Sequence, residues 1–545
     1  MTLHLDDLVP VALRRRWAAD GTCPDLDLYA LFRARRLATP DQVAVIDTAG
    51  ELTYAELDRL ARAAAAGLRG LGVCEGDVVG VQLPNGRDAV VADLAVAALG
   101  AVALPFPAGR GAAEAVSLLG RSGARAVIAA VDHRGTAHAR ELVAAADGLP
   151  GLRAVIAAGP QEPPPGSVAW SEVLRADGGA FVPARPDPDG AARILVSSGS
   201  ESEPKMVAYS HNALAGGRGN FMATLIPGGS TPRCLFLIPL ASAFGSNGTA
   251  VTLARHGGCL VLLDHFSPRA ALAAIREHRP THVLAVPTMI RMMLDQPDAG
   301  PTPPMTALVL GGAELDAATA AEAGQAFGCP VVNLYGSADG VNCHSGFRPA
   351  TAGDPGPGVV VGLPDPRVTE IRIAPPPDGE RFGEIIARGP MTPMCYVGAP
   401  ELNQRYRTAD GWVRTGDLGV IDADGRLRLM GRLKHVVIRG GANISLAEVE
   451  HALATHPEVR EVVCLGVPDP VMGERLAACV VPRPGATPGA PDLAGLSSHL
   501  LQRGLERGKH PERLLLVKEL PLTPAGKPDR DALRDLLLGG HRESA

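Results

Sequence analysis

The chain has 545 residues, 46% of them hydrophobic and 20% charged, with a formal net charge of −6. That length suits several domains with cores of their own, and 52 basic against 58 acidic residues, with no long block of one sign, disfavours nucleic acid or an anionic membrane as a partner. Nine cysteines without a C-x-x-C pair argue against a disulfide framework or structural zinc, and the N-terminus, with Asp6, Asp7 and Arg14 to Arg16, has no apolar signal core, so a cytoplasmic protein is expected.

Leu52 to Leu71 has apolar positions at helical spacing with Thr53 as N-cap, and Val78 to Leu83 is a short strand closed by Pro84-Asn85-Gly86. Ala89 to Pro107, interrupted by Asp93 and two prolines, is a core helix running into a strand rather than a membrane span. Strands at Ala126 to Ala130, Leu235 to Ile238, Cys259 to Leu263, His282 to Val286 and Ala307 to Leu310 alternate with helix-like segments. Such alternation predicts an α/β fold of mostly parallel sheets covered by helices. Gly159 to Asp189, dense in proline and glycine, is expected to be a surface connection. Near residue 432 the pattern changes to a hairpin-like pair (Leu427 to Met430 and Val436 to Ile438), a helix near Ser445, strands near Val462 and Ala477, and a closing helix from Asp529. This predicts a large N-terminal domain, 1–431, and a small α+β domain, 432–545, meeting at Arg432-Leu433-Lys434.

Lysine occurs only at 205, 434, 509, 518 and 527, and arginine supplies the other basic residues. A lysine kept in so arginine-rich a chain marks a need for a compact point charge, although Lys509 and Lys518 are consistent with chance retention. Lys205 ends the loop Ser197-Ser198-Gly199-Ser200-Glu201-Ser202-Glu203-Pro204-Lys205, which follows the apolar strand Ile194 to Val196 and precedes a helix-like segment from Ser210. A small, hydroxyl-rich loop after a strand offers backbone N–H groups and hydroxyls to a phosphate.

Further ordered motifs are Gly311-Gly312-Ala313-Glu314, Asn333-Leu334-Tyr335-Gly336-Ser337-Ala338-Asp339, Gly411-Trp412-Val413-Arg414-Thr415-Gly416-Asp417, Gly431-Arg432-Leu433-Lys434, Gly440-Gly441-Ala442-Asn443-Ile444 with Glu448 and Glu450, and Pro521-Leu522-Thr523-Pro524-Ala525-Gly526-Lys527. In this order and spacing the chain resembles the adenylate-forming superfamily of acyl-CoA synthetases, luciferases and peptide-synthetase adenylation domains. The resemblance implies a small β subdomain in the large domain and a mobile C-terminal domain. It also implies a two-step ligation, in which carboxylate and ATP give acyl-AMP and a thiol then displaces AMP.

By the same resemblance, Ser197, Ser198, Gly199, Ser200 and Lys205 would meet phosphates, and Gly312, Ala313 and Tyr335 would enclose adenine, within motifs that include Glu314, Asn333, Gly336 and Ser337. Asp417 would accept the ribose hydroxyls with Arg432 nearby, and Asp339 is the candidate Mg²⁺ ligand. Lys527 would serve adenylation, Lys434 would be the hinge, and Gly440 and Gly441 would line a thiol tunnel. His211, His344 and His435 have no metal spacing.

Departures from the family pattern concentrate on ATP. Glu201 replaces a hydroxyl, Ser202 a glycine and Met206 a glycine, Ala338 lacks the hydroxyl expected at the α-phosphate, and Asp339 is one methylene shorter than the usual glutamate. Replacing glycine restricts a backbone that must wrap phosphates. Each like-charge contact from Glu201 or Glu203 costs about 4 kcal/mol at about 4 Å and an effective dielectric near 20, before screening. In the acyl motif Pro239-Leu240-Ala241-Ser242-Ala243-Phe244-Gly245, two small side chains stand where many relatives have an aromatic and a histidine, which suggests a bulky, apolar acid, and Ala243 cannot bind an amino acid's amine.

The resulting expectation is an acyl-CoA ligase of specialised metabolism whose adenylation step is impaired or lost, using acyl-AMP and coenzyme A and depending on a separate adenylating enzyme upstream. That pattern is similar to the functionally separated ligases of the platensimycin and platencin type. A complete ATP- and Mg²⁺-dependent ligase, a ligase loading a separate carrier protein, and a non-catalytic acyl-adenylate-binding relative stay open.

Overall fold

The computed structural model describes residues 5–197, 204–297, 301–348, 358–375, 382–433, 436–439, 442–469, 472–485, 491–503, 505, 507–523 and 528–539. The chain forms two compact units, one comprising Met1–Ala352, Gly362–Ile371 and Ala387–Arg414, the other Gly353–Val361, Arg372–Ile386 and Thr415–Ala545.

The first unit holds two eight-stranded sheets. One runs in the order Asn342–His344, Val331–Gly336, Ala307–Gly311, His282–Ala285, Arg233–Phe236, Cys259–Leu262, Val43–Asp47, Gly50–Thr53; only its edge strands pair antiparallel. The other runs Cys395–Tyr396, Met206–Ser210, Ala191–Val196, Val102–Pro105, Val78–Gln82, Ala126–Ala130, Ala154–Ala158, Val168–Ala169, parallel from Ala191–Val196 onward. The apolar runs form parallel strands because helices cover both faces and no polar side is required. Helix Arg87–Ala98 is buried from Ala89 to Ala92 and again from Leu94 to Ala98, and it shares one core with Val79 and Ile128 of one sheet and Phe236 and Leu284 of the other. Thr53 caps helix Tyr54–Gly70 in a capping box with Glu56. Among the described residues no helix is long and apolar enough to cross a membrane.

Three local expectations need correction. Leu427–Arg432 pairs with Val413–Ile421, not with Val436–Arg439, which pairs instead with Ala442–Ser445. The deciding signal is the turn Asp422-Ala423-Asp424-Gly425, where Asp422 Oδ1 accepts from the N–H groups of Asp424 and Arg426 and Gly425 adopts φ 77°. A strand, Met206–Ser210, stands between the serine-rich loop and the helical segment after it. Gly159 to Asp189 is more than a surface connection, because Trp170 and Phe181 are buried and Trp170 Nε1 donates to Asp88 at 2.9 Å.

The second unit contains most of a five-stranded sheet, ordered Val359–Gly362, Leu427–Arg432, Val413–Ile421, Gly383–Arg388, Glu370–Ile373. Its C-terminal sheet runs Ala442–Ser445, Val436–Arg439, Gly473–Pro482, Val459–Asp469, with Arg513–Leu516 also on Gly473–Pro482. Leu446, Val449, Leu476, Leu496 and Leu500 belong to its core.

Candidate active site

The glycine-rich and aromatic motifs leave the carboxyl ends of two adjacent parallel strands. Ala307–Gly311 and Val331–Gly336 pair with Leu310 beside Asn333 and Gly311 beside Leu334, so Gly312-Ala313-Glu314 and Tyr335-Gly336-Ser337 emerge side by side. That edge is where ligands bind in open α/β sheets. Gly312 holds φ 82°, a conformation that favours glycine, and Gly312, Ala313 and Glu314 are exposed while Tyr335 is half-buried. The Asn333 N–H donates to Ser345 Oγ and its carbonyl accepts from the Ser345 N–H, both at 3.0 Å. Ser337 Oγ accepts from the Asp339 N–H at 3.1 Å, which shapes the turn after the strand.

Ser197 and Lys205 close the loop at its base, where the Ser197 N–H donates to the Lys205 carbonyl at 2.9 Å. The Lys205 ammonium lies 4.1 Å from the ring centre of Tyr406, 5.4 Å from that of Tyr396 and 3.9 Å from Asp339 Oδ1. That same carboxylate oxygen accepts from the Tyr396 hydroxyl at 2.7 Å. Burial, reinforced by the Asp339 charge, pushes the Tyr396 phenol well above its ordinary range. The next side chain after Tyr406, Arg407, is buried, and among the described residues none of its three guanidinium nitrogens has a hydrogen-bond partner; burial pulls its pKa down.

In the acyl motif, Ser242 is spent on the turn itself: its hydroxyl donates to the Pro239 carbonyl at 2.7 Å and accepts from the Gly245 N–H at 2.9 Å. A Cβ on Gly245 would stand 1.9 Å from the Pro239 oxygen, so only glycine fits there. Ala243 and Phe244 are partly buried against the main core, and Ala241 is buried.

The second unit supplies Asp417 and Arg432, opposite one another on the antiparallel pair Val413–Ile421 and Leu427–Arg432. Arg432 Nε lies 2.9 Å from Asp417 Oδ1, with the aspartate side chain 7% and the arginine 50% exposed. Gly416, just before, has φ 72°, and the Gly416 N–H donates to Glu384 at 3.0 Å. Glu448 pairs with Lys509 at 2.8 Å and Glu450 with Arg530 at 2.8 Å, so both glutamates brace the C-terminal sheet and its flanking segments. Ser198, Gly199, Ser200, Lys434, His435, Gly440, Gly441 and Lys527 lie outside the described residues.

A family model for AMP-binding enzymes matches residues 32–397, and the model for the AMP-binding enzyme C-terminal domain matches 448–527. The chain belongs to the AMP-binding enzyme family. It is an adenylate-forming acyl ligase, with the family's large sheet-bearing domain followed by a smaller α+β domain. Among its relatives are the salicyl-AMP ligase / salicyl-S-ArCP synthetase of Mycobacterium tuberculosis (34% identical; 93% of this chain, 90% of that one) and the 2-hydroxy-7-methoxy-5-methyl-1-naphthoate–CoA ligase of Streptomyces carzinostaticus (32%; 96% of each). The crystal structure of ATP-bound MatB from Rhodopseudomonas palustris is similar with a TM-score of 0.79 at 26% identity, over 94% of this chain and 98% of that one.

In this AMP-binding enzyme, Tyr209, Arg218, Tyr396, Tyr406 and Arg407 are neighbours of the motif residues that sequence reasoning missed. No spacing links them, since they converge through strand pairing such as Tyr396 beside Val207. Among the described residues no three His, Cys, Asp or Glu side chains gather as a metal site. A magnesium ion at Asp339 would therefore draw its other ligands from nucleotide oxygens and water, which suits that ion's chemistry.

Proposed function

We propose that this ligase makes a CoA thioester of a bulky, largely apolar carboxylic acid from its acyl-adenylate, and that its own ATP-dependent first step is weak. In the thioester step the thiol sulfur attacks the acyl carbon, the bond from that carbon to the AMP phosphate oxygen breaks, AMP leaves, and the thiol proton is released. Gly312, Ala313 and Tyr335 hold adenine and Asp417 the ribose, with Arg432 at its side. Ser197, Ser198, Gly199, Ser200 and Lys205 face phosphates, and Lys527 supports adenylation. Residues 432–545 swing about Lys434 relative to 1–431, bringing Gly440 and Gly441 to the thiol path.

The observation that carries the reading is the engagement of the ATP-handling groups with one another. Lys205 is stacked on Tyr406, Asp339 is held by Tyr396, and Ala338, where the α-phosphate would expect a hydroxyl, has a buried side chain and a carbonyl that accepts from Tyr209 at 2.8 Å. Glu201, Ser202 and Glu203 add two anions and remove a glycine in the same loop. The test supplies a synthetic acyl-AMP with CoA and looks for acyl-CoA and AMP in equal amounts. A second acceptor, a phosphopantetheinylated carrier protein, belongs in the same assay, because the salicyl-S-ArCP synthetase relative favours carrier loading as the alternative use of the same acyl-adenylate.

A further inference from the structure

Arg218 ends a π-helical segment, Ala213–Arg218, and is 4% exposed. Its Nη1 donates to the carbonyl of Ala243 at 2.9 Å, its Nη2 to the hydroxyl of Tyr209 at 3.3 Å, and its guanidinium carbon lies 4.9 Å from the Tyr209 ring centre. Tyr209 in turn donates to the carbonyl of Ala338. One guanidinium therefore links the acyl motif to the motif that ends in Asp339. π-helical turns inside helices occur often at functional sites.

The donor count of this side chain is unbalanced. A guanidinium carries five N–H groups; among the described residues two of them have partners, and Nε is buried with none. No carboxylate pairs with Arg218 among the described residues, whereas the buried Arg14 has Asp7 at 2.9 Å and Arg193 has Asp93 at 2.7 Å. A buried cation without a counter-charge is costly, and the tyrosine face offsets only part of that cost. The acyl motif has no spare side-chain donor of its own: Ser242 Oγ donates to the Pro239 carbonyl, Ser246 Oγ donates to the Ala243 carbonyl, and Ala241, Ala243 and Phe244 have no polar side-chain atoms.

We propose that Arg218 is a specificity-determining residue that donates to an oxygen on the hydrophobic body of the acid, so that the substrate class is a large, largely apolar carboxylic acid carrying a ring hydroxyl. This rests on the acyl-adenylate reading above. Arg218 supplies the polar side-chain contact that the small residues of the acyl motif do not, and the hydroxyl oxygen takes up a further N–H of the cation.

The test uses acyl-adenylates of naphthoic acid and of its ring-hydroxylated isomers with CoA, and the readout is the ratio of kcat/KM values, hydroxylated over parent. The natural protein should prefer at least one hydroxylated isomer by about tenfold or more, the worth of a charge-assisted hydrogen bond. Arg218→Met should bring that ratio close to one, and Arg218→Lys should restore part of it. A purely structural strut would slow both substrates alike and leave the ratio intact, which overturns the proposal, as does a natural protein with no preference for any hydroxylated isomer. Calorimetric binding of non-hydrolysable acyl-sulfamoyl-adenosine pairs reads the same ratio without turnover. If no acyl-adenylate is turned over, the ligase reading fails while the binding ratio still decides the role of Arg218; should Arg218→Met not fold, Arg218→Lys and Arg218→Gln carry the comparison.

Discussion

Asp417 and Arg432 face each other across two antiparallel strands, the arginine Nε 2.9 Å from the aspartate Oδ1. The aspartate is nearly buried and the arginine half-exposed, so the pair orients the carboxylate more than it stabilises the fold. A carboxylate has about four lone-pair sites, enough for Arg432 and two ribose hydroxyls together. Asp417→Ala should lower kcat/KM for acyl-AMP thioesterification tenfold or more, since each charge-assisted hydrogen bond is worth on the order of 1.5–3 kcal/mol. Arg432→Gln should cost less. Steady-state kinetics with both variants checks this, and an unchanged Asp417→Ala would move the ribose site elsewhere.

Repairing the phosphate loop should recover ATP chemistry. Glu201→Thr with Ser202→Gly removes an anion from the triphosphate path and returns backbone freedom. Ala338→Ser adds the hydroxyl with less volume than threonine, which matters because Ala338 is buried. Acid-dependent ATP–pyrophosphate exchange should rise in the repaired protein while thioesterification of acyl-AMP stays close to its starting rate.

Two histidines, His211 buried and His256 half-buried, set an acid limit on stability. His211 Nδ1 accepts from the Leu28 N–H at 3.2 Å and His256 Nε2 donates to the Gly219 carbonyl at 2.9 Å, and burial pulls both pKa values down to about 4. The unfolded chain, with histidine near its ordinary 6.5, binds more protons between pH 6.5 and 4. Stability from these groups is therefore full above pH 6.5 and is lost as pH falls toward 4, by up to roughly 3 kcal/mol for each. His211→Asn keeps an acceptor for Leu28 without the titration, so its melting temperature should fall less between pH 7 and pH 5 than that of the natural protein.

Arg407 carries a buried charge whose nitrogens have no hydrogen-bond partner among the described residues. Arg407→Met should raise the melting temperature, because removing an uncompensated buried charge relieves its desolvation cost. Thermal unfolding measured without ligands checks it, and a fall of several degrees would mean that this guanidinium has a partner in the working molecule.

The parallel sheets were legible because their strands are buried on both faces and stand out as short apolar runs; Ala126–Ala130 occupies the range its apolarity predicts. The scarcity of lysine pointed to Lys205, whose ammonium stands near Asp339. Lys509, which the same scarcity left undecided, is accounted for by Glu448. Arg218 and Arg407 were hidden for the opposite reason, since this chain uses arginine for nearly every cation and neither position differs from the others in sequence. The strands that carry Tyr209 and Tyr396 pair along an antiparallel edge assembled from segments almost two hundred residues apart, with Tyr396 beside Val207, and no local period announces such a pairing.

On the function proposed above, thioesterification outruns adenylation in this one protein. The direct measurement compares, in a single preparation, the initial rate of acyl-CoA formation from acyl-AMP and CoA with that from the same acid, ATP, magnesium and CoA. The first rate should exceed the second by about a hundredfold, the added anions of the phosphate loop and the missing hydrogen bond at the α-phosphate each contributing about tenfold. Equal rates, with pyrophosphate released from ATP as fast as thioester appears, would contradict it.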